Sequence, residues 1–332
     1  MNIRAYLGNL NKDSYIDIIS QGLDYIKFGE LVSSNTQVFI KPNLTYPMYR
    51  HGVMTNPEAV KAAILAIREY TSNIVIGDAD SGGYNRFSMD EVYKETGLWE
   101  FTKNNGVEIV NLSNTKRKTV QISFENKQID LDLPSLLTDD IDLLITMPVP
   151  KIHANTGVSL SFKNQWGCIP EPADRLRLHP YFKHVILEVN KAVKSRISII
   201  DGMYGLNFNG PMLGTPIELE WVMISNNIGA SARLACELMQ IQIEKIEHLR
   251  FAIESGSIPK RSEIETNTEI FGFQKEKFEL HRKITDIPGY LAFNSPFLAY
   301  LGYFSPVSDL LHRILYLFRE PLYDYDKYSR SK

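Results

Sequence analysis

Four short apolar runs in the first 200 residues each lead into charged residues, and this repetition limits the fold more than any other feature. Val38-Phe39-Ile40 leads into Lys41 and Asn43, and Ile74-Val75-Ile76-Gly77 into Asp78, Asp80 and Ser81. Asp142-Leu143-Leu144-Ile145-Thr146-Met147 leads through Pro148-Val149-Pro150 into Lys151 and His153, and Ile197-Ser198-Ile199-Ile200 into Asp201 and Gly202. Short continuous apolar runs mark strands buried on both faces, the habit of parallel sheets.

Helical patterns separate these runs. Val60, Ala63, Ile64 and Ile67 recur at helical spacing between Pro57 and Tyr70, after the start signal Thr55-Asn56-Pro57. Ser88 with Glu91 resembles a capping box opening a helix towards Trp99, and a further helix is expected from Tyr181 to Lys194. Val107 to Val110 reads as another strand. Val120, Ile122 and Phe124, then Ile129, Leu131 and Leu133 across Glu125-Asn126, alternate as a hairpin does. The expected fold is therefore α/β: a mostly parallel sheet flanked by helices, with a β-hairpin insertion and a helical, aromatic-rich C-terminal region. Residues 1–240 form the α/β domain, and 241–332 a helical extension packing on it.

Composition narrows the function classes. Apolar residues at 44% and charged residues at 23% exclude a disordered or fibrous chain. Lys+Arg number 36 against 39 Asp+Glu, a net charge of −3, which argues against general nucleic-acid binding. Two cysteines, Cys168 and Cys236, are too few for a disulfide framework, a four-cysteine zinc site or a cysteine-ligated iron–sulfur cluster. The N-terminus lacks the apolar core of a signal peptide, and no apolar run reaches the ~20 residues of a transmembrane segment. A cytoplasmic protein is the expectation.

In an open parallel sheet the carboxyl ends of the strands share one crevice where ligands bind. Four strands delivering polar residues there point to a common site. The segment from Lys151 to Cys168 adds Lys163 and Asn164, then runs on to Arg175, Arg177, His179, Lys183 and His184. Such donors suit phosphate or carboxylate, because Arg clamps them bidentately and Lys acts as a point charge. Lys41, Lys151 and His153 are the candidate catalytic residues, with His153 or Lys41 moving a proton. Asn43, Ser81, Lys163, Asn164, Arg175 and His179 are the candidate substrate contacts. Asp78 and Asp201 either orient the bases or hold a divalent metal, to which His153, His179 or His184 would add an imidazole. No tight ligand spacing supports the metal. Gly77, Gly82 and Gly83, and the glycines from Gly202 to Gly214, match neither a dinucleotide nor a P-loop fingerprint. Cys168 is expected to be a small buried residue rather than a reactive thiolate.

These motifs, in order, resemble the domain of unknown function 362 family. Lys41-Pro42-Asn43-Leu44, Thr55-Asn56-Pro57 and Gly77-Asp78 resemble its opening. Pro150-Lys151-Ile152-His153, Ser161-Phe162-Lys163-Asn164-Gln165-Trp166-Gly167 and His179 resemble its most distinctive block. Ile200-Asp201-Gly202 and Gly210-Pro211-Met212-Leu213-Gly214 are similar to the next. The resemblance spans roughly residues 35–240. It implies an α/β fold like the N-terminal domain of nickel-pincer lactate racemases. The Cys-x-x-Cys ferredoxin module of many relatives is not found in this chain. The family's Asp-Pro-Val-Ala-x-Asp stands here as Asn227-Ile228-Gly229-Ala230-Ser231-Ala232, losing both acids, and Gln240 replaces a glycine.

The leading expectation is an enzyme-like protein that binds a small anionic metabolite and transfers a proton, as in isomerisation. A non-catalytic ligand-binding or accessory protein, membrane-peripheral in one version, is the alternative, favoured by Asn227 and Ala232. Between Val307 and Phe318, Leu310, Leu311, Ile314, Leu315 and Phe318 share one helical face. That face is expected to pack on the domain, with a homodimer surface or peripheral membrane contact through residues 287–325 as alternatives. Pro288, Pro296, Pro306 and Pro321 break any spanning helix.

Overall fold

The computed structural model describes residues 2–81 and 87–318, so Gly82, Gly83, Pro321, Tyr323 and Tyr325 lie outside the described residues. β1 (Ile3–Asn9) and α1 (Tyr15–Tyr25) come first. Ser14 caps α1, its hydroxyl accepting from the Asp17 amide while Asp17 accepts from the Ser14 amide. Two βα units follow: β2 (Val38–Pro42), α2 (Pro57–Arg68), β3 (Ile74–Asp78), then α3 (Met89–Glu95), α4 (Leu98–Asn104) and β4 (Glu108–Asn111). Asn56 caps α2 and Ser88 caps α3 through their side chains, but Ser88 accepts from the Asp90 amide rather than forming the expected box with Glu91, and the expected helix towards Trp99 is broken at Gly97.

β5 (Arg117–Phe124) and β6 (Lys127–Pro134) pair only with each other, as the expected hairpin. β7 (Leu143–Met147), β8 (Lys151–His153), β9 (Gly157–Ser159), α5 (Ser161–Asn164), α6 (Pro172–Leu178) and α7 (Phe182–Ala192) carry the chain across the future site. β10 (Ser195–Asn207) and β11 (Thr215–Ser225) form a long antiparallel pair, and α8 (Ile228–Leu238), α9 (Glu247–Glu254) and β12 (Ile264–Thr266) follow. α10 (Ile287–Asn294), α11 (Pro296–Ala299) and α12 (Ser308–Leu315) end the described chain.

The main sheet runs β12-β1-β11-β10-β7-β2-β3-β4. From β10 to β4 it is parallel, as the unbroken apolar runs require. β11 is antiparallel to both β1 and β10, and β12 lies parallel at the edge beside β1, so the sheet is mostly parallel but mixed. Successive strand residues alternate between two apolar layers. Val38, Ile40, Ile76 and Ile145 pack with α1 and α2 on one face, whereas Phe39, Val75, Leu144 and Ile200 pack with α7 and α8 on the other. Burying each such side chain contributes roughly 1.5–3 kcal/mol.

The chain moves outward from β2 to β3 and β4, then returns through the hairpin to β7 on the opposite side of β2. The strand order therefore reverses between β2 and β7, and this switch point opens a crevice at their carboxyl ends. At the other end of the chain, α10 buries Ala292 and Phe293, but α12 buries none of its residues. Among the described residues, no helix is long and apolar enough to cross a membrane.

Candidate functional site

The crevice holds a cleft of about 100 Å³ lined by Lys41, Asn43, Thr45, Asp78, Ala79, Ser81, Lys151, His153, Ser159, Lys163, Asn164, Trp166, Gly167, Arg175 and Pro211. Strand ends supply the first half: Lys41 and Asn43 from β2, Asp78 and Ser81 from β3, Lys151 and His153 from β8. The second half comes from α5 and the turn behind it, and from Arg175 on α6. All three expected catalytic residues, and every expected substrate contact except His179, thus share one cleft.

Lys41 and Asp78 form a buried ion pair of 2.8 Å. Lys41 Nζ also donates to the Pro42 carbonyl at 3.0 Å and to Asn164 Oδ1 at 3.4 Å, so all three of its protons have acceptors. Asp78 accepts in turn from the Leu44 and Ala79 amides. This pair forms the floor of the cleft and leaves no free donor for a ligand. Asn164 ties the floor to β7 by donating to the Lys41 carbonyl and to Thr146 Oγ1. Thr146 bonds Gln165, which reaches Asn190 and Ser195, so the short α5 is held by a buried polar network.

The other cations are paired less fully. Lys151 Nζ donates to the Val53 carbonyl at 2.8 Å, an acceptor it shares with Asn43. Burial, followed by the charges of Lys163 and Lys41, lowers its pKa well below the usual lysine range. Lys163 lies over the Phe182 ring at 5.5 Å, and burial beside Arg175 and Lys41 lowers its pKa to about 7. Arg175 Nε donates to the Ile169 carbonyl at 2.8 Å, but Nη2 is buried without a hydrogen-bond partner. Trp166 Nε1 is also buried and unpartnered. A buried donor left unmade costs about 1–3 kcal/mol, so both call for an acceptor.

His153 Nδ1 accepts from the Asn155 amide at 3.1 Å. The imidazole is neutral, its pKa lowered mainly by burial and next by Lys163, and the proton sits on Nε2. In this tautomer its Nε2–H is available as a hydrogen-bond donor. Cys168 is a thiol, its pKa pushed up by burial to about 12.

Two expected site residues lie elsewhere. Asp201 accepts from the Tyr15 hydroxyl at 2.8 Å, the Asn56 amide at 2.7 Å and the Met203 amide at 3.2 Å. The reason is that β10 does not stop at Asp201 but continues to Asn207, so this residue is not at a strand end. His179 follows α6 and stacks on Trp166 at 5.8 Å, facing a neighbouring pocket of about 380 Å³ with Phe182, His248, Arg282 and Phe293. Burial, with Lys163 next, lowers the pKa of both His179 and His248 to about 3. His184, a weighed imidazole ligand, stacks on Phe124 at 4.6 Å. Among the described residues, no group of three or more His, Cys, Asp or Glu is arranged to hold a metal ion.

Residue reading also missed contributors. Trp166 and Gly167 lie inside the donor-rich segment, and Pro211 follows a glycine, but only the fold turns them towards the cleft. Gly167 lies so close to the ion pair that a Cβ there would stand 2.8 Å from both Lys41 Nζ and Asp78 Oδ1.

Comparison with known proteins adds the following. The model of the family described as Domain of unknown function (DUF362) matches residues 38–237. A thylakoid-associated protein of Synechocystis sp. is 24% identical over 249 residues, which cover 71% of this chain and 73% of that protein. The lactate racemase apoprotein from Thermoanaerobacterium thermosaccharolyticum superposes with a TM-score of 0.48 at 14% identity, over 72% of this chain and 56% of that one. A Thermotoga maritima protein gives 0.34 at 15% identity, over 58% and 51%. The chain thus spans little more than half of either solved protein.

Proposed function

This chain belongs to the DUF362 family, and on that premise we propose that it binds a small carboxylate- or phosphate-bearing metabolite in the cleft between β2 and β7 and moves a proton there. One observation carries the reading: Lys41, Lys151, Lys163 and Arg175 line one cleft in which Asp78 is the acid among the described lining residues, while Arg175 Nη2 and Trp166 Nε1 lack acceptors. An incoming oxyanion supplies those acceptors and offsets the excess positive charge.

The roles follow from the hydrogen bonds. Arg175 and Trp166 hold the anion. Lys41 with Asp78 is a positioning pair, since its protons are already engaged. Lys151 and the Nε2–H of His153 donate to oxygen atoms where charge develops. Lys163 is the proton carrier, because its charge state changes near neutrality without disturbing a partner.

Native mass spectrometry of gently purified protein, followed by calorimetric titration with inorganic phosphate and with lactate, tests this. A co-purified anion or saturable binding of either probe at one site per chain is expected. A protein that ignores both contradicts the reading.

A second reading concerns location. Exposed apolar side chains gather between 284 and 318, with Phe297 70%, Leu310 58% and Phe318 74% exposed. The Synechocystis relative is named as thylakoid-associated. Peripheral attachment to a membrane surface through this face fits both, and it is compatible with chemistry in the cleft.

A further inference from the structure

We propose that Lys163 is a nucleophile that forms an imine with a small 2-oxo carboxylate held in the cleft, an inference that rests on the anion-binding reading above. Among the described residues, Lys163 Nζ has no hydrogen-bond or ion-pair partner, unlike Lys41 and Lys151. Its amine lies over the Phe182 face at the edge of the cleft, beside Arg175. An amine attacks carbonyl carbon only when unprotonated, and two conditions free a lysine for this: an apolar surround and a neighbouring cation. Lys163 has both. In the free protein its pKa of about 7 leaves free amine at neutral pH, and Arg175, by pairing with the substrate carboxylate, limits the rise that a bound anion causes.

The substrate class follows from size and donor placement. A cleft of about 100 Å³ suits a small molecule. Its carboxylate satisfies Arg175 and Trp166, and in a 2-oxo acid the carbonyl carbon is the next atom. The nitrogen lone pair forms a C–N bond as the C=O π pair moves to oxygen, giving a carbinolamine. The oxygen then leaves as water with both amine protons, and the imine nitrogen takes up one proton from solvent. Lys151 and His153 are the donors available to the departing oxygen. The resulting iminium withdraws electrons from the adjacent carbon and makes a neighbouring C–H acidic.

The test is reductive trapping. The whole protein is incubated at pH 7 with pyruvate and sodium cyanoborohydride, and adducts are located by peptide mass mapping, with calorimetry of pyruvate binding in parallel. One adduct on Lys163 is expected, forming at least about tenfold faster than on an exposed lysine such as Lys191 and slowed by inorganic phosphate. Lys163→Arg and Lys163→Met, each checked for native circular dichroism, should lose that adduct and no other. If pyruvate binds but Lys163 labels no faster than Lys191, the nucleophile assignment is overturned while the anion site stands. If pyruvate and phosphate both fail to bind, the site reading falls and the inference with it.

Discussion

Arg175 shows most simply how a single buried side chain can call for an acceptor. Its Nε has a backbone acceptor, yet its Nη2 is buried with none, and burying such a group is unfavourable unless something completes it. Arg175→Met should therefore weaken phosphate binding by roughly 1.5–3 kcal/mol, on the order of tenfold to a hundredfold, as read by calorimetry. Lys163 sets the pH dependence. Its folded pKa of about 7 lies below the unfolded value, so between pH 7 and the usual lysine range the unfolded chain binds more protons. Stability of the free protein should rise with pH across that window, whereas anion affinity should fall, because a bound anion favours the charged amine. Binding near neutrality should take up a proton, visible as a dependence of the titration enthalpy on buffer, and Lys163→Met should remove it. His179 and His248, near 3 when folded, act at the acid end: stability they contribute is lost as pH falls from about 6.5. Lys41, Asp78 and Lys151 were legible in the sequence because a strand end is visible where an apolar run stops. Their division of labour was not, since only the folded distances show that Lys41 is fully paired and that His153 carries its proton on Nε2.

At the scale of elements, the site depends on a four-residue helix and the turn behind it. α5 has no side-chain cap and is held by Asn164, Gln165 and Asn190 reaching across to β7 and α7. Gly167, at the end of this network, leaves room for the Lys41–Asp78 pair. Gly167→Ala should cost about 1–3 kcal/mol in thermal or denaturant unfolding, by overpacking a pair that is buried and cannot swing away. It should also weaken phosphate binding, because the added methyl enters the cleft. The βα units and the hairpin were readable because their periodicities are local. The antiparallel half of the sheet was not. Only Ile197 to Ile200 of β10 forms a mainly apolar run, and the strand continues through Gly202 and Gly205 where no run marks it. That continuation is also why Asp201 serves Tyr15 and Asn56 rather than the cleft.

Across the whole molecule, the pocket beside the cleft and the exposed apolar face meet at α10, whose Phe293 borders that pocket next to His179 while Leu291 is 48% exposed. Amphipathicity of α12 was visible in the sequence, but whether its apolar side met the domain was a tertiary question, and none of its residues is buried. Replacing Leu310, Ile314 and Phe318 together by Gln should leave unfolding within about 0.5 kcal/mol of the parent, since exposed positions contribute little. The same triple variant should float less with anionic liposomes, and unchanged flotation would remove this face from any membrane contact. The claim on which the rest depends is that a small oxyanion completes the buried donors between β2 and β7. The most direct test is a crystal of the full chain soaked with selenate, examined by anomalous diffraction. One strong selenium peak within hydrogen-bond reach of Arg175 Nη2 and Trp166 Nε1 is the predicted result, and an empty cleft with selenate confined to surface lysines would contradict it.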